Sequence, residues 1–353
     1  MQITKAKVTP VELNLRQPVS IGRLPEIDRV TAIFVRIETR DGQVAWGSAV
    51  SHPALTGEEP EDVLRACQAC ADIAPDLHPT NIEYSLDQLQ PLVNDSPSAL
   101  CAFDLALHDL LGLAAGMPLY RLLGGYRDRI QTSATVPIAG LAECVDVAKA
   151  HARLGFRMLK IKGGLDPDDD VRRVRAISRT LPEHVLRLDA DGGYNVQQAL
   201  YVARALENKL EMIEQPVPEH DLAGLKEVTT HCPIPVLADQ SVTGPASALQ
   251  LAAGHYTDGL SIKLANCGGF RCARQVDAVA RAANIATMVG CLIEPALLIA
   301  AGLSFALSSP NVKYGDLDGH LDLIDDPTVP GFRLEEGWLI ATDVPGLGCT
   351  VAL

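Results

Sequence analysis

The fold is decided by the segment Met158-Leu159-Lys160-Ile161-Lys162 and by its repetition along the chain. This segment is a short apolar run that ends in a lysine, and the amphipathic stretch Asp169 to Thr180 follows it. Alternation of strands and helices implies parallel strands joined by right-handed crossovers, and eight such strands can close a barrel. The predicted strands are Thr132 to Ile138, Met158 to Ile161, Val185 to Leu188, Glu211 to Ile213, Val236 to Ala238, Gly259 to Ile262, Ala286 to Val289 and Val312 to Tyr314.

One residue at the end of each run recurs with the same period, every 24 to 27 residues. The eight positions are Thr135, Lys162, Asp189, Glu214, Asp239, Lys263, Gly290 and Asp316. Each position therefore lies at the carboxyl end of a strand, on the rim where barrel enzymes build their active sites. Ionisable side chains at the ends of buried strands are costly unless they are paired or bound to metal. The pattern predicts a polar site on this rim.

Three consecutive strands contribute the acids Asp189, Glu214 and Asp239. Adjacent strands bring these carboxylates around one point, where they repel each other unless a divalent cation lies between them. Ligand sets of oxygen atoms alone favour Mg²⁺ over zinc or copper. We therefore predict a magnesium site, against the alternative of three unrelated acids.

Lysines flank the predicted metal site. Lys160 and Lys162 are two residues apart and face the same side of the second strand, and Lys263 ends the sixth strand across the barrel. A neighbouring ammonium and a divalent cation both disfavour a charged lysine, so we predict that the pKa of Lys162 is lowered and that it acts as a base. Lys160 either takes part directly or only contacts a substrate oxygen and lowers the pKa of its neighbour.

Asp316 and Asp318 follow the last predicted strand and face the same side. A pair of acids on the rim is a good receptor for a substrate ammonium group. The residues alone are equally compatible with a solvated acidic turn, since Asp322, Asp325 and Asp326 follow closely.

The N-terminal part has a different pattern. Ile3 to Asn14 and Thr31 to Thr39 alternate apolar and polar residues, and the turn signal Asp41-Gly42 leads into a third strand. Helical periodicity follows up to Leu123, and the tail Gly331 to Leu353 is irregular strand that we expect to pack on the N-terminal part. The sequence therefore predicts an α+β domain before the barrel.

Composition limits the partners. Of 353 residues, 47% are hydrophobic and 21% charged, as in an ordinary globular protein, and the net charge of -14 disfavours nucleic acid and anionic membranes. The first eleven residues predict no secretory signal, and nine scattered cysteines fit a reducing cytoplasm. Self-association is possible, although no sequence feature fixes a symmetry.

The set Lys160-Ile161-Lys162, Asp189, Glu214-Gln215-Pro216, Asp239 and Lys263 resembles the enolase superfamily, in its muconate lactonizing enzyme-like subgroup. The resemblance covers nearly the whole chain. It implies a (β/α)₇β modified TIM barrel at 126–320, an α+β capping domain with specificity loops at 1–125, and a tail at 321–353 that completes the capping domain. It also implies an isomerase that uses Mg²⁺ and a lysine base and passes through an enediolate.

Within the subgroup, Asp316-Leu317-Asp318 resembles the motif by which dipeptide epimerases hold a substrate ammonium group. Cys291 and Glu294 match the seventh-strand segment of those enzymes, and Thr135 joins the substrate-binding candidates from the rim series. Arg23, in the predicted loop Gln17 to Pro25, is a candidate partner for an acidic side chain such as that of an Ala-Glu substrate. The resemblance thus implies epimerisation of the C-terminal residue of a dipeptide, with Lys162 and Lys263 on opposite faces and Lys160 assisting.

Other functions stay open at this point. N-acylamino acid racemase, o-succinylbenzoate synthase and muconate cycloisomerase share the lysines and metal ligands but need no ammonium receptor. A Schiff-base aldolase with Lys160 or Lys162 as nucleophile and a binding protein without activity are more distant alternatives. Three positions also depart from the usual pattern: Asp191 in place of asparagine, Gln240 in place of glutamate, and Pro295 in place of serine.

Overall fold

A three-stranded antiparallel sheet opens the chain in the computed structural model, which describes residues 1–22, 25–93 and 96–353. Its strands are β1 Ile3–Val19, β2 Ile27–Thr39 and β3 Val44–Ser51. The turn between β2 and β3 needs Gly42, whose φ of +82° lies in the left-handed region that favours glycine. The sheet agrees with the meander predicted from the alternating pattern.

Helices cover one side of this sheet. They are α1 Pro53–Thr56, α2 Pro60–Ile73, α3 Ile82–Leu89, α4 Pro97–Ala115 and α5 Leu119–Leu122, with short 3₁₀ helices at Ala74–Asp76 and Gln90–Leu92. Gly47 of β3 lets α4 approach closely, because a Cβ there would lie 1.9 Å from the carbonyl oxygen of Ala102. Among the described helices, α4 is long and apolar enough to cross a membrane, but 78% of its apolar window is buried inside the protein. We therefore assign α4 as a core helix of the N-terminal part.

The short strand β4 Arg129–Gln131 leads into an eight-stranded parallel barrel. Its strands are β5 Ala134–Val136, β6 Met158–Lys162, β7 Val185–Asp189, β8 Met212–Glu214, β9 Val236–Ala238, β10 Gly259–Ile262, β11 Ala286–Val289 and β12 Val312–Gly315. Each strand pairs with the next in chain order, and a bridge between Thr132 and Gly315 joins the first strand to the last. The predicted (β/α)₇β modified TIM barrel with an N-terminal capping domain is confirmed.

Helices follow the barrel strands and pack their apolar faces on them. They are α6 Leu141–Arg153, α7 Pro167–Thr180, α8 Val196–Leu206, α9 Leu222–His231, α10 Pro245–Ala253, α11 Leu264–Cys267, α12 Phe270–Ala282 and α13 Ala296–Ser308. The start of α7 shows how the sequence sets a boundary: Asp166 accepts hydrogen bonds from the backbone N–H groups of Asp168 and Asp169, and Pro167 occupies the first turn.

The predicted bounds of several barrel strands were wrong: the second, third and eighth each end one residue later than predicted, and the first and fourth differ further. The first is shorter than Thr132 to Ile138, because Ser133 donates its backbone N–H to Gly315 and Thr132 receives a hydrogen bond from Leu317. The fourth runs to Glu214 rather than ending at Ile213, and Glu211 lies outside it, where its carboxylate binds Arg187 at 2.7 Å.

The C-terminal tail contacts both parts of the chain. Its strands are β13 Thr328–Val329, β14 Phe332–Glu335, β15 Trp338–Ala341 and β16 Thr350–Val351. β15 pairs with β4, while Leu347 donates its backbone N–H to Asp109 of α4 at 2.7 Å. The other oxygen of Asp109 accepts from Trp46 of β3 at 2.9 Å. The tail is thus tied to the N-terminal part, and the boundaries at 125 and 320 stay a prediction.

His320 joins the tail to the loop that follows β12, and it makes stability depend on pH. Its ring packs edge-on against Phe332 with centroids 5.4 Å apart, and burial lowers its pKa to about 4, against an opposing effect of Asp326. Since the folded pKa lies below the ordinary 6.5, the folded state disfavours protonation of His320. The neutral ring therefore leaves stability at its full value above pH 6.5, and stability is lost as the pH falls from 6.5 towards 4. We expect the difference in unfolding free energy between wild type and His320→Leu to shrink by about 2 kcal/mol between pH 7.5 and pH 5.0.

Urea unfolding at the two pH values measures this difference. The matched control is His220→Leu, since the side chain of His220 is 82% exposed. Parallel pH profiles for wild type and His320→Leu would contradict the assignment.

Candidate active site

The carboxyl ends of β6 to β10 bring lysines and acids together inside the barrel rim. Three acids, Asp189, Glu214 and Asp239, end consecutive strands or directly follow them, and all three are buried. One carboxylate oxygen from each lies within 4.8 Å of the others, so these three acids form a possible metal site among the described residues. The structure thus brings together the residues that the spacing grouped.

The electrostatics of this cluster fit a cation. Burial raises the pKa of Glu214 to about 8, against the effect of Lys160, while Lys160 and Lys162 overcome burial and hold the pKa of Asp189 far below its usual range. The Oε1 atom of Glu214 is buried without a hydrogen-bond partner among the described residues. An unpartnered carboxylate oxygen beside two further acids matches the oxygen-rich ligand set of Mg²⁺.

The lysines lie at the two ends of the cluster. The Nζ of Lys162 is 2.8 Å from Asp189, on the β6 side, and the Nζ of Lys263 is 2.5 Å from Asp239, on the β10 side. Since β7, β8 and β9 lie between them in the strand order, the two ammonium groups approach the cluster from opposite flanks. This arrangement is what proton transfer on two faces of one carbon requires.

Lys160 occupies the centre. Its Nζ contacts Asp189 at 2.9 Å, Glu214 at 2.8 Å and Asp316 at 2.7 Å. Burial acts to lower the pKa of Lys160, but these carboxylates raise it well above the ordinary value. Lys160 is thus an ammonium group that connects the predicted metal ligands to the end of β12.

The protein groups around Lys162 act against the predicted lowering of its pKa, which also depends on a bound cation and stays a prediction. Burial and Lys160 do lower it, but Asp189 and Asp191 outweigh them, and the pKa is raised. Asp191 lies 3.0 Å from Nζ of Lys162 and accepts a hydrogen bond from Gln240 at 3.1 Å. Sequence reasoning noted Asp191 and Gln240 only as departures from a pattern and missed these contacts.

Asp316 and Asp318 are not a solvated turn. Asp316 is buried and accepts from Ser133 at 2.5 Å as well as from Lys160, whose charge helps to hold its pKa below the ordinary value despite burial. Asp318 accepts from the backbone N–H of Thr135 at 2.7 Å, and burial with the charge of Asp316 raises its pKa to about 6. Asp316 is paired with Lys160, whereas the contact of Asp318 is a backbone N–H group, so Asp318 can accept a second cation such as a substrate ammonium group.

The remaining candidates lie around this pair or outside the described residues. Thr135 meets Asp318 through its backbone, and the Sγ of Cys291 is 3.9 Å from an oxygen of Asp318. Glu294 is buried, accepts from the backbone of Leu292 at 3.2 Å, and has a pKa that burial raises to about 8. Arg23 lies outside the described residues, so its role stays a prediction.

Around the predicted loop Gln17 to Pro25, described residues of the first domain lie close to later parts of the chain. Before it, Asn14 of β1 binds Asp325 through its backbone N–H at 2.8 Å and its amide group at 2.7 Å. Within it, a Cβ added to Gly22 would lie 3.2 Å from the Cβ of Asp191. The first domain therefore reaches the barrel beside Lys162.

Comparison with known proteins defines the class. Residues 143–352 match the family model "Enolase C-terminal domain-like", and residues 3–124 match "Mandelate racemase / muconate lactonizing enzyme, N-terminal domain". The chain therefore belongs to the mandelate racemase/muconate lactonizing enzyme family, with both of its domains.

Individual relatives are similar over their full length. The chain is 35% identical to an L-Lys-D/L-Arg epimerase from Methylococcus capsulatus, over 99% of both chains, and 33% identical to an L-Ala-D/L-Glu epimerase from Bacillus subtilis, over 99% of this chain and 96% of the relative. The structure also resembles the crystal structure of a dipeptide epimerase from Enterococcus faecalis, complexed with Mg and L-Leu-L-Tyr. The two sequences are 32% identical, and the two structures superpose with a TM-score of 0.96. The matched region spans 99% of this chain and 100% of the Enterococcus faecalis chain.

Proposed function

We propose that this protein is a Mg²⁺-dependent dipeptide epimerase that inverts the α-carbon of the C-terminal residue. The observation that carries the proposal is the cluster of Asp189, Glu214 and Asp239 with Lys162 and Lys263 at its two ends. Relatives at 33 to 35% identity over full length are epimerases of dipeptides, which supports the same reaction here.

Asp189, Glu214 and Asp239 would hold the metal. A bound Mg²⁺ would supply Lewis-acid chemistry at the substrate carboxylate. Lys162 removes the α-proton from one face and Lys263 returns a proton to the other, or the reverse for the opposite epimer. Lys160, placed between the metal ligands and Asp316, assists by orienting the substrate carboxylate.

Asp316 and Asp318 distinguish this proposal from the alternatives in the same family. An N-acylamino acid racemase, an o-succinylbenzoate synthase or a muconate cycloisomerase acts on a substrate without an ammonium group. A dipeptide has one, and the buried pair of acids offers it a receptor. An N-acetylated dipeptide should therefore be a poor substrate, and turnover of it at the rate of the free dipeptide would favour the racemase.

Asp318→Asn tests the receptor directly. Loss of one charge-assisted hydrogen bond should raise KM for a free dipeptide roughly 10- to 100-fold, with a smaller change in kcat. The matched control is Asp322→Asn, an exposed acid four residues further along. An unchanged KM in Asp318→Asn would remove Asp318 from the substrate site.

The preferred side chains of the substrate remain to be assigned. Relatives of similar identity act on Lys-Arg and on Ala-Glu dipeptides. We keep the proposal that Arg23 pairs with an acidic side chain, which predicts that Ala-Glu outperforms cationic and hydrophobic dipeptides. A mass-shift screen of a dipeptide library in D₂O tests both the reaction and this preference, because each turnover incorporates deuterium.

The location and partners of the enzyme are inferred from its substrate and its composition. We propose a cytoplasmic enzyme that acts on a small molecule, without nucleic acid or membrane as partner. The net charge of -14 supports the absence of nucleic acid and anionic membranes as partners. A homo-oligomer is compatible with this proposal.

A further inference from the structure

A buried hydrogen-bonded network lies behind Lys162, away from the predicted metal ligands. Its members are Asp170 and Arg173 of α7 and Tyr194 of the loop after β7, and they are 1%, 0% and 2% exposed. Burying an aspartate and an arginine is costly, and such a pair is a poor source of stability compared with apolar packing. The network therefore calls for a role beyond holding α7 in place.

The hydrogen bonds of this network converge on the backbone that carries Lys162. Arg173 donates to the carbonyl oxygen of Lys162 at 2.9 Å and also binds the carboxylate of Asp170. The second oxygen of Asp170 accepts from the backbone N–H of Gly164 at 2.9 Å and from the hydroxyl of Tyr194. The segment 162–164 is thus held on both sides of the peptide bond that follows Lys162.

The surrounding backbone leaves this segment no room to move. A Cβ on Gly163 would lie 2.9 Å from the carboxylate of Asp170, and a Cβ on Gly164 would lie 2.1 Å from the carbonyl oxygen of Ala190. Gly164 also has a φ of +93°, which favours glycine. The chain after Lys162 therefore passes through a close-fitting channel whose wall includes Asp170.

Tyr194 extends the network to the neighbouring strands. Its backbone N–H donates to Pro216 at 3.1 Å, two residues after Glu214. Charged side chains hold the 162–164 segment, together with one backbone hydrogen bond from Gly163 to Asp189, whereas Tyr194 meets Pro216 through its backbone. Loss of a side chain should therefore affect Lys162 more than the metal ligands.

We propose that Asp170, Arg173 and Tyr194 are positioning residues that aim the ammonium group of Lys162 at one face of the substrate. This inference rests on the proposed function. The three residues act through the backbone of Lys162, because their side chains are buried behind it. Lys263 lies on the opposite flank of the cluster, so these three residues do not position it.

The two lysines give a readout that separates positioning from general stability. In D₂O each epimer of a dipeptide loses its α-proton to one lysine only, so Lys162→Ala identifies the epimer whose exchange depends on Lys162. Tyr194→Phe removes one hydroxyl group and should slow exchange of that same epimer roughly 10- to 100-fold. Exchange of the other epimer and Mg²⁺ affinity by calorimetry should stay within about twofold.

The chain offers a close control. Tyr201 of α8 donates its hydroxyl to Asp168 of α7 at 2.5 Å, which is also a bond from a tyrosine hydroxyl to an aspartate of α7, but on the surface. Tyr201→Phe should leave exchange of both epimers unchanged. Arg173→Met, with the exposed neighbour Arg172→Met as its control, should repeat the selective loss, and if Arg173→Met does not fold, Tyr194→Phe decides alone.

The outcomes are distinct. Selective slowing of the Lys162-dependent epimer supports the proposal. Equal slowing of both epimers, or no slowing, in Tyr194→Phe overturns it while the function stands, because wild type still exchanges both epimers. If wild type exchanges neither epimer of any dipeptide in the presence of Mg²⁺, the proposed function fails and this inference fails with it.

Discussion

Lys162→Ala and Lys263→Ala should each abolish epimerisation, with losses of roughly 1,000-fold or more. Inversion of a carbon needs an acid or base on both of its faces, and these two ammonium groups lie at opposite ends of the carboxylate cluster. Each single variant should still exchange the α-proton of one epimer in D₂O, since the remaining lysine can remove and return a proton on its own face. The two variants should therefore retain exchange of opposite epimers.

Chiral chromatography and mass spectrometry of the same reaction measure both quantities. Lys149→Ala serves as the control, because this lysine is half exposed and pairs with Asp146 on the surface of α6. Wild-type epimerisation in both lysine variants would show the assignment of the bases to be wrong. If both variants still exchange the α-proton of the same epimer, the two lysines would lie on the same face of the substrate.

Glu214→Gln should weaken Mg²⁺ binding and turnover by roughly 100-fold or more. The substitution keeps the shape of the side chain but replaces a carboxyl group, which can offer a charged oxygen to a cation, with a neutral amide. It also replaces a carboxylate whose Oε1 atom has no protein partner among the described residues. Chelation of the metal from wild type should have the same effect, and added Mg²⁺ should restore activity.

Isothermal titration calorimetry with Mg²⁺ measures the affinity separately from turnover. The matched control is Glu211→Gln, whose carboxylate lies just before the same strand and binds Arg187. Unchanged Mg²⁺ affinity in Glu214→Gln would remove this residue from the metal site. Full activity of chelated wild type would remove the metal from the reaction.

The fold and the cluster could be predicted because both follow from local periodicity. A parallel barrel places the residue at the end of each strand on one rim, so a recurrence every 24 to 27 residues already groups Lys162, Asp189, Glu214 and Asp239. The strand order then separates Lys162 from Lys263 without further information. The exact bounds of β5 and β8 were missed, since single hydrogen bonds to β12 and the neighbouring strand set them.

The contact between Asp191 and Lys162 could not be predicted, because it depends on a loop conformation. Asp191 reaches this lysine after a backbone step with a φ of +44°, which aspartate tolerates better than most residues. Its backbone N–H donates to Asp189 at 3.1 Å, so the loop folds back onto the strand end. No periodic signal reports such a turn.

The network behind Lys162 was also beyond sequence reasoning. Asp170 and Arg173 lie in an acidic and basic stretch of α7 that resembles a solvated helix face. Only the packing of α7 on the barrel shows that these two residues point inward while Asp168 and Arg172 point outward. Tyr194 lacks any motif, and its partner is 24 residues away in the sequence.

The most direct test follows the α-protons of a panel of L,L-dipeptides by ¹H NMR in D₂O with Mg²⁺. For at least one dipeptide, the signal of the C-terminal α-proton should disappear while the N-terminal α-proton persists, and the L,D-epimer should accumulate. A chelator should stop both changes. Persistence of every C-terminal α-proton with folded, Mg²⁺-loaded protein would contradict the proposed reaction.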